Sequence, residues 1–345
     1  MSLTRTAYIS RQTIKFGGVG VLALMLFWYG SVAAIKAYRK ANAPYQAPTV
    51  RYGILPKMQF PEKVFEAKTF SFEFPNDTVP KFSDQAKVFI VYKPNSSFLA
   101  LNYYSGIAKN LGFVNDPAEK ETGLYEFRNE SLNQTLTINV LDGSFKLKYP
   151  YENDQMLLFP ESVPSKDEAI ETAKSFLGQA EKFNTDLENG KKLVSYWKMD
   201  AGRLVRAQAQ SDAHFARVDL FREEFDEESK IVSAEVESAP ISVLISGSRV
   251  EGRKIVEVNY QYANIDRESW STYPIKTAQE AMSELKSGNY WPAMDVSNKS
   301  VTIRRMYLAY FEPFGLTNYM QPVFVFEGDG GMVAYVSAVT SEYSK

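Results

Sequence analysis

The chain has 345 residues, with 39 Lys and Arg against 41 Asp and Glu, no cysteine and a single histidine. Hydrophobic residues make up 45% and Gly and Pro are sparse, a composition that excludes disordered, collagenous and coiled-coil proteins and suits a globular chain of more than one domain. The two scarce residue types exclude disulfides, thiol nucleophiles, iron–sulfur clusters and zinc sites built on cysteine or paired histidines.

Residues 16–35, FGGVGVLALMLFWYGSVAAI, form an uncharged run between Lys15 and Lys36. A helix of that length spans about 30 Å, the thickness of a bilayer's hydrocarbon core. Phe16, Val21, Leu24, Phe27, Trp28 and Ile35 would lie within the membrane span. Trp28 and Tyr29 lie toward one interface, and Gly17, Gly18 and Gly20 offer a small-residue surface to a second helix. A cleaved signal peptide competes, with Ser31-Val32-Ala33 as a small-x-small cleavage site. The length of the run and the bulky Trp28 and Tyr29 before that site favour an uncleaved anchor. On this reading residues 1–15 are cytoplasmic and the remainder lies outside a bacterial plasma (inner) membrane, although basic residues flank both ends and charge alone does not orient the helix. The first forty residues carry six basic and no acidic side chains, so the rest is net acidic, which argues against nucleic acid as a partner.

Residues 41–80 hold six of the sixteen prolines, and the stretch 36–68 reads as a semi-rigid spacer. From 69 onward one pattern recurs three times: a helix followed by several strands. The first unit, 69–160, opens with an alternating TFSFEF at 69–74. Helical spacing follows over Ser97–Leu111 with Gly112 as its stop, then strands at 124–129, 135–141 and 144–149, the last two joined by Asp142-Gly143. The second unit, 161–264, begins with a capping-box pair, Ser165 and Glu168, ahead of Ala169, Ala173, Phe176 and Leu177. Strands are expected at 192–199, 215–221, 231–236, 241–246 and 255–263. The third unit, 265–345, repeats the capping box at Thr277 and Glu280, ends its helix at Gly288, and continues with strands at 301–311, 322–327 and 332–339. The shared [Ser/Thr]-x-x-Glu-Ala core predicts an α+β fold in which an N-terminal transmembrane helix precedes repeated units of one helix packed on a twisted antiparallel sheet.

Within the third unit, Tyr273-Pro274, Thr277-Ala278-Gln279-Glu280-Ala281, Leu285, Tyr307-Leu308-Ala309-Tyr310, Gln321-Pro322-Val323 and Phe326 resemble the C-terminal domain of YycH/YycI-type proteins. The helix-plus-sheet unit is also similar to the PepSY module. The first resemblance covers about 70 residues and the overall layout. It implies an extracytoplasmic α+β region behind one membrane helix, a regulatory role toward a sensor histidine kinase, and no catalytic residues.

Motifs with catalytic potential have plain structural readings. His214 lies beside Ser211 and Asp212, but no Gly-x-Ser-x-Gly turn accompanies it, and Ser246-Gly247-Ser248 reads as a loop. Ser162-Val163-Pro164-Ser165-Lys166 reads as a loop and helix cap. The run Arg222-Glu223-Glu224-Phe225-Asp226-Glu227-Glu228 lacks calcium-loop spacing and reads as a solvated turn, and Glu327-Gly328-Asp329-Gly330-Gly331 as a hairpin connection. The sequence therefore predicts a non-enzymatic, single-pass membrane protein without cofactor or metal. Its partners would be the bilayer through residues 16–35 and a membrane or envelope protein. A structural component of a secretion or pilus assembly is the alternative, and a cell-wall enzyme ranks behind both.

Overall fold

Strict alternation, as in QTLTIN at 134–139 where every second side chain is buried, is the local reason that strands dominate this chain. The computed structural model describes residues 24–32, 34–36, 38, 45–92, 99–158, 162–225, 229–234, 239–250, 252–312, 315 and 317–345. They fall into two units, Met1–Ala47 and Pro48–Lys345. In the first, residues 24–32 and 34–36 are helical, and Leu24, Phe27, Trp28 and Ile35 each expose more than half of their surface. Among the described residues no helix is long and apolar enough to cross a membrane. Phe16, Gly17, Gly18, Gly20 and Val21 of the expected span lie outside the described residues.

In the second unit, β1 (Thr69–Phe72) and β2 (Gln85–Tyr92) precede α1 (Ala100–Asn110). Four strands follow, β3 (Ala118–Glu121), β4 (Leu124–Asn129), β5 (Gln134–Asn139) and β6 (Phe145–Lys148). A single turn, α2 (Gln155–Leu158), then α3 (Lys166–Gln179) and α4 (Thr185–Asn189) lead into β7 (Lys192–Asp200), β8 (Arg203–Arg206) and β9 (Phe215–Leu220). After β10 (Lys230–Val232) come β11 (Ile241–Ser246), β12 (Ile255–Tyr260) and β13 (Asn264–Pro274). Helix α5 (Ala278–Lys286) precedes β14 (Trp291–Met294), β15 (Ser300–Phe311), β16 (Tyr319–Met320), β17 (Pro322–Gly328) and β18 (Val333–Ser337). The fold is mixed α+β.

Three sheets result. The largest has nine antiparallel strands in the order β3-β4-β5-β6-β12-β11-β9-β7-β8. A six-stranded sheet runs β1-β15-β17-β18-β14 with β10 also on β15, and a small one runs β13-β2-β16. Pairing crosses the expected unit boundaries. Val258 of β12 pairs with Leu147 of β6, fusing strands from 100–160 and 161–264 into one sheet. Strand β1 joins β15, and β2 joins β13, so 69–92 belongs with the C-terminal strands. Two pairs, β1–β15 and β10–β15, are parallel, a departure from the antiparallel expectation that the long excursions between those strands make feasible.

Both expected capping boxes are present. The Ser165 amide donates to Glu168 Oε2 at 2.8 Å and the Thr277 amide to Glu280 Oε2 at 2.7 Å, while each hydroxyl accepts the returning glutamate amide. The hydroxyl and amide of Ser165 hold the Glu168 carboxyl below its usual range, and the amide and hydroxyl of Thr277 do the same for Glu280. Helix α3 buries Ala169, Ala173 and Leu177 in the core of the nine-stranded sheet, with Phe176 half-buried at its edge. Helix α5 buries Ala278, Ala281 and Leu285 against Phe324 and Phe326 in a separate core. Ser165→Ala and Thr277→Ala should each cost about 1 kcal/mol, and the double variant about 2, because the two caps share no partner. Urea titration of the full chain measures this; a double variant equal to either single would refute independent caps.

The stretch 36–68 is not a free spacer over its described part. Leu55 is fully buried, and its amide donates to Tyr343 O at 2.8 Å. The Tyr52 amide donates to the Tyr273 hydroxyl (2.9 Å) and the Trp291 indole to Pro61 O (2.9 Å). Phe60 stacks on Trp291 at 5.6 Å, and Lys68 pairs with Asp295 at 3.0 Å. Prolines favour an extended chain, and an extended chain can strap a sheet as readily as it can bridge to one; the aromatics between the prolines decide for the strap.

Candidate functional site

The run expected as a solvated turn begins instead with the most buried cation among the described ion pairs. Arg222 lies two residues beyond β9, and its side chain is 1% exposed, while that of its partner Glu312 is 7% exposed. Its Nε donates to Glu312 Oε2 at 2.8 Å and its Nη2 to Oε1 at 2.7 Å, a two-pronged pairing. Its Nη1 donates to Asp186 Oδ2 at 3.0 Å and to the Tyr262 hydroxyl at 3.3 Å, and Nη2 also reaches Ala263 O at 2.6 Å. The guanidinium lies over the Tyr262 ring, 4.3 Å from its centre. Asp186 accepts further bonds from Arg267 and from the Tyr262 hydroxyl. Burial disfavours the Arg222 charge, but Glu312, Tyr262 and Asp186 outweigh it and hold the group protonated.

These groups come from five places in the chain: α4, the segment after β9, the β12–β13 link, β13 itself and the end of β15. The network therefore staples the nine-stranded sheet to the six-stranded one. Beside it opens a cleft of about 1560 Å³ whose lining includes Arg222 and Glu312. One wall is the β7–β9 surface: Trp197 with Arg217 5.8 Å above its ring, and Asp219 paired to Arg217 at 2.9 Å. Burial raises the Asp219 carboxyl above its usual range, and Arg217 opposes that rise. The other wall comes from the six-stranded sheet. Tyr307 donates to Glu327 Oε1 at 2.9 Å, Lys230 lies 5.2 Å from the Tyr307 ring, and Tyr335 donates to Ser233 O at 3.1 Å. Burial, then the bond to Glu327, raises the Tyr307 phenol, keeping it a donor at neutral pH.

The volume exceeds the roughly 300–1,000 Å³ typical of small-molecule pockets. Aromatic faces and charges already paired along both walls suit the contacts of a polypeptide surface, where aromatics and arginine anchor binding.

His214 lies apart from this cleft. Its Nδ1 accepts the Met199 amide at 3.1 Å, and Asp212 is engaged by Lys198 at 2.6 Å. With Nδ1 accepting from backbone, the neutral ring carries its hydrogen on Nε2 and so has no lone pair there to take a proton from a neighbouring hydroxyl, and burial lowers the tendency of the ring to protonate. Ser165 caps α3, and Asp329-Gly330-Gly331 joins β17 to β18. Among the described residues no cluster of three or more His, Asp or Glu is placed to hold a metal. The sequence reading missed Arg222, Asp186, Tyr262 and Glu312 as a group. The one signal available was an arginine heading an acidic run directly after an apolar strand.

No family model matches the chain, and no curated protein does. Among solved structures it is similar to an uncharacterized protein from Eubacterium rectale, at 14% identity and a TM-score of 0.40, over 80% of this chain and 90% of that one. It is also similar to the Bacillus megaterium YpeB C-terminal domain, at 12% identity and a TM-score of 0.29, over 72% of this chain and 95% of that one.

Proposed function

We propose that this chain is a non-enzymatic, single-pass protein of a bacterial plasma membrane, anchored by residues 16–35, whose α+β region outside the cytoplasm binds and regulates a protein partner. The cleft between the two large sheets carries this reading: its volume exceeds that of a small-molecule site, and its walls present Leu193, Trp197, Met294 and Tyr307 among paired charges. The finer architecture, units of one capped helix on a sheet related to PepSY and YycH/YycI domains, belongs to the same proposal. It is supported by the two matching capping boxes, each followed by a run of strands. The YycH/YycI resemblance implies a membrane sensor kinase as the class of partner.

A photo-crosslinking residue placed in the full chain in its native membrane tests the cleft. Positions 197 and 294, one on each wall, should trap the same protein, whereas position 119 on the far edge strand β3 should trap none. Equal trapping from all three positions, or none from the cleft, would overturn the reading. In intact spheroplasts, added protease should remove the α+β region, and full protection would reverse the orientation.

A further inference from the structure

A second, smaller cavity of about 310 Å³ opens on the helix-bearing face of the nine-stranded sheet, at the seam where β6 meets β12. Helix α1 supplies Tyr104, the β5–β6 hairpin supplies Gly143, the loop after α3 supplies Lys182, and β12 supplies Tyr260. The Lys182 ammonium sits 5.0 Å from the Tyr104 ring centre and 5.9 Å from that of Tyr260. It makes no ion pair or hydrogen bond with any described residue, although Asp142 and Glu181 are near enough to act on it through their charge.

Gly143 forms a tightly packed wall of the cavity beside the ammonium. This residue has φ +76°, and a Cβ there would lie 2.6 Å from the Tyr104 hydroxyl and 3.3 Å from Lys182 Nζ. The hydroxyl and the ammonium therefore both lie against the Gly143 backbone, as neighbours on one wall of the cavity. The Tyr104 hydroxyl has no hydrogen-bond partner among the described residues, although the residue is only 3% exposed.

We infer that this cavity is a binding site for a small monoanionic, hydroxylated ligand, a sugar acid, with its carboxylate on Lys182 and Tyr104. A half-buried ammonium that lies between aromatic rings and bonds to no described residue keeps its donors for an acceptor in the cavity, and a charged acceptor makes the stronger bond. Asp142 and Glu181 repel any anion, and a dianion about twice as strongly as a monoanion, which favours a carboxylate over a phosphate. The same two acids and Asn264 provide partners for hydroxyl groups, and the tyrosine rings match the apolar C–H face of a sugar. The volume holds one ring. This site lies on the opposite face of the sheet from the surface that lines the protein-binding cleft, so it stands independently of that assignment.

D-glucuronate is the probe, titrated by calorimetry into the full-length protein in detergent micelles. Binding should be about tenfold or more weaker in Lys182→Met, as expected for loss of a charge-assisted hydrogen bond. Tyr104→Phe keeps the ring, removes one donor, and should weaken binding by a smaller factor. Glucose and glucose 6-phosphate should both bind more weakly than glucuronate to the unmodified chain. Absence of glucuronate binding to the unmodified protein, or equal affinity in Lys182→Met and Tyr104→Phe, overturns the assignment, as does tighter binding of the phosphate ester. If Lys182→Met fails to fold, Tyr104→Phe and the two competing sugars decide alone.

Discussion

Arg222→Met should lower the free energy of unfolding by about 3–5 kcal/mol, the usual cost of leaving one member of a buried ion pair without its partner. The Glu312 carboxylate would remain 7% exposed between two sheets with its two-pronged donor gone. Asp186 would fare better, because Arg267 and Tyr262 still donate to it. Arg222→Lys retains the charge but offers no planar fork, so it should recover only part of the loss. The double variant Arg222→Met, Glu312→Leu removes both charges and should return most of the stability, since apolar replacement of a buried pair is often neutral. Chemical denaturation of the full chain measures all three. A single-variant loss below about 1 kcal/mol, the range of exposed pairs, would mean the pair is hydrated in solution. The same series bears on function, because the network joins the two walls of the cleft. A double variant that is stable yet fails to crosslink its partner would show that the charges set the geometry of the cleft.

Gly190→Ala should be a severely damaging methyl addition, with the tightest backbone contact among the described glycines of the second unit. Gly190 ends α4 with φ −68°, an ordinary value, so its conformation does not demand glycine. Space does. A Cβ at this position would fall 1.8 Å from Phe221 O and 2.9 Å from the carbonyl carbon of Arg222. Those atoms are backbone and cannot rotate away, so the 190–192 segment must separate from 220–222, where Phe221 N donates to Lys191 O at 3.0 Å. Overpacking against flexible side chains costs about 1–3 kcal/mol, and rigid backbone should put this variant at or above the upper end. The displaced segment carries Arg222, so the two substitutions should couple, with a combined loss smaller than the sum of the single losses. Full additivity in a double-mutant cycle would separate the glycine from the network.

What was legible in the sequence was local. The starts of helices α3 and α5 could be placed to within a residue because cap, return glutamate and the first apolar positions lie within a few turns of each other. The hairpins at Asp142-Gly143 and Asp329-Gly331 were legible for the same reason: turn chemistry and the flanking alternation sit side by side. Strands β2 and β13 were missed because their neighbours lie far away. The polar SWST within β13 carries weak alternation and becomes a strand by pairing with β2, nearly two hundred positions earlier. Residues 48–68 misled through their prolines, which set extended backbone without indicating whether anything lies beneath it.

The sequence by itself determined the class of fold, the capped helices, most strand positions and the absence of thiol and multi-histidine chemistry, because each depends on residue identity or on spacing within one element. Only the tertiary structure decided which acid neutralises which base and where open space remains. Arg222 sits at the head of an acidic run, yet its two-pronged partner is Glu312, 90 positions away, rather than any adjacent glutamate. Lys182 is one lysine among many until Tyr104, Gly143 and Tyr260 arrive from three other elements to enclose it. Charge pairing and cavity shape are properties of groups brought together across sheets. No local pattern encodes them, since an ion pair's energy depends on the distance and burial reached after folding, and the sequence records neither.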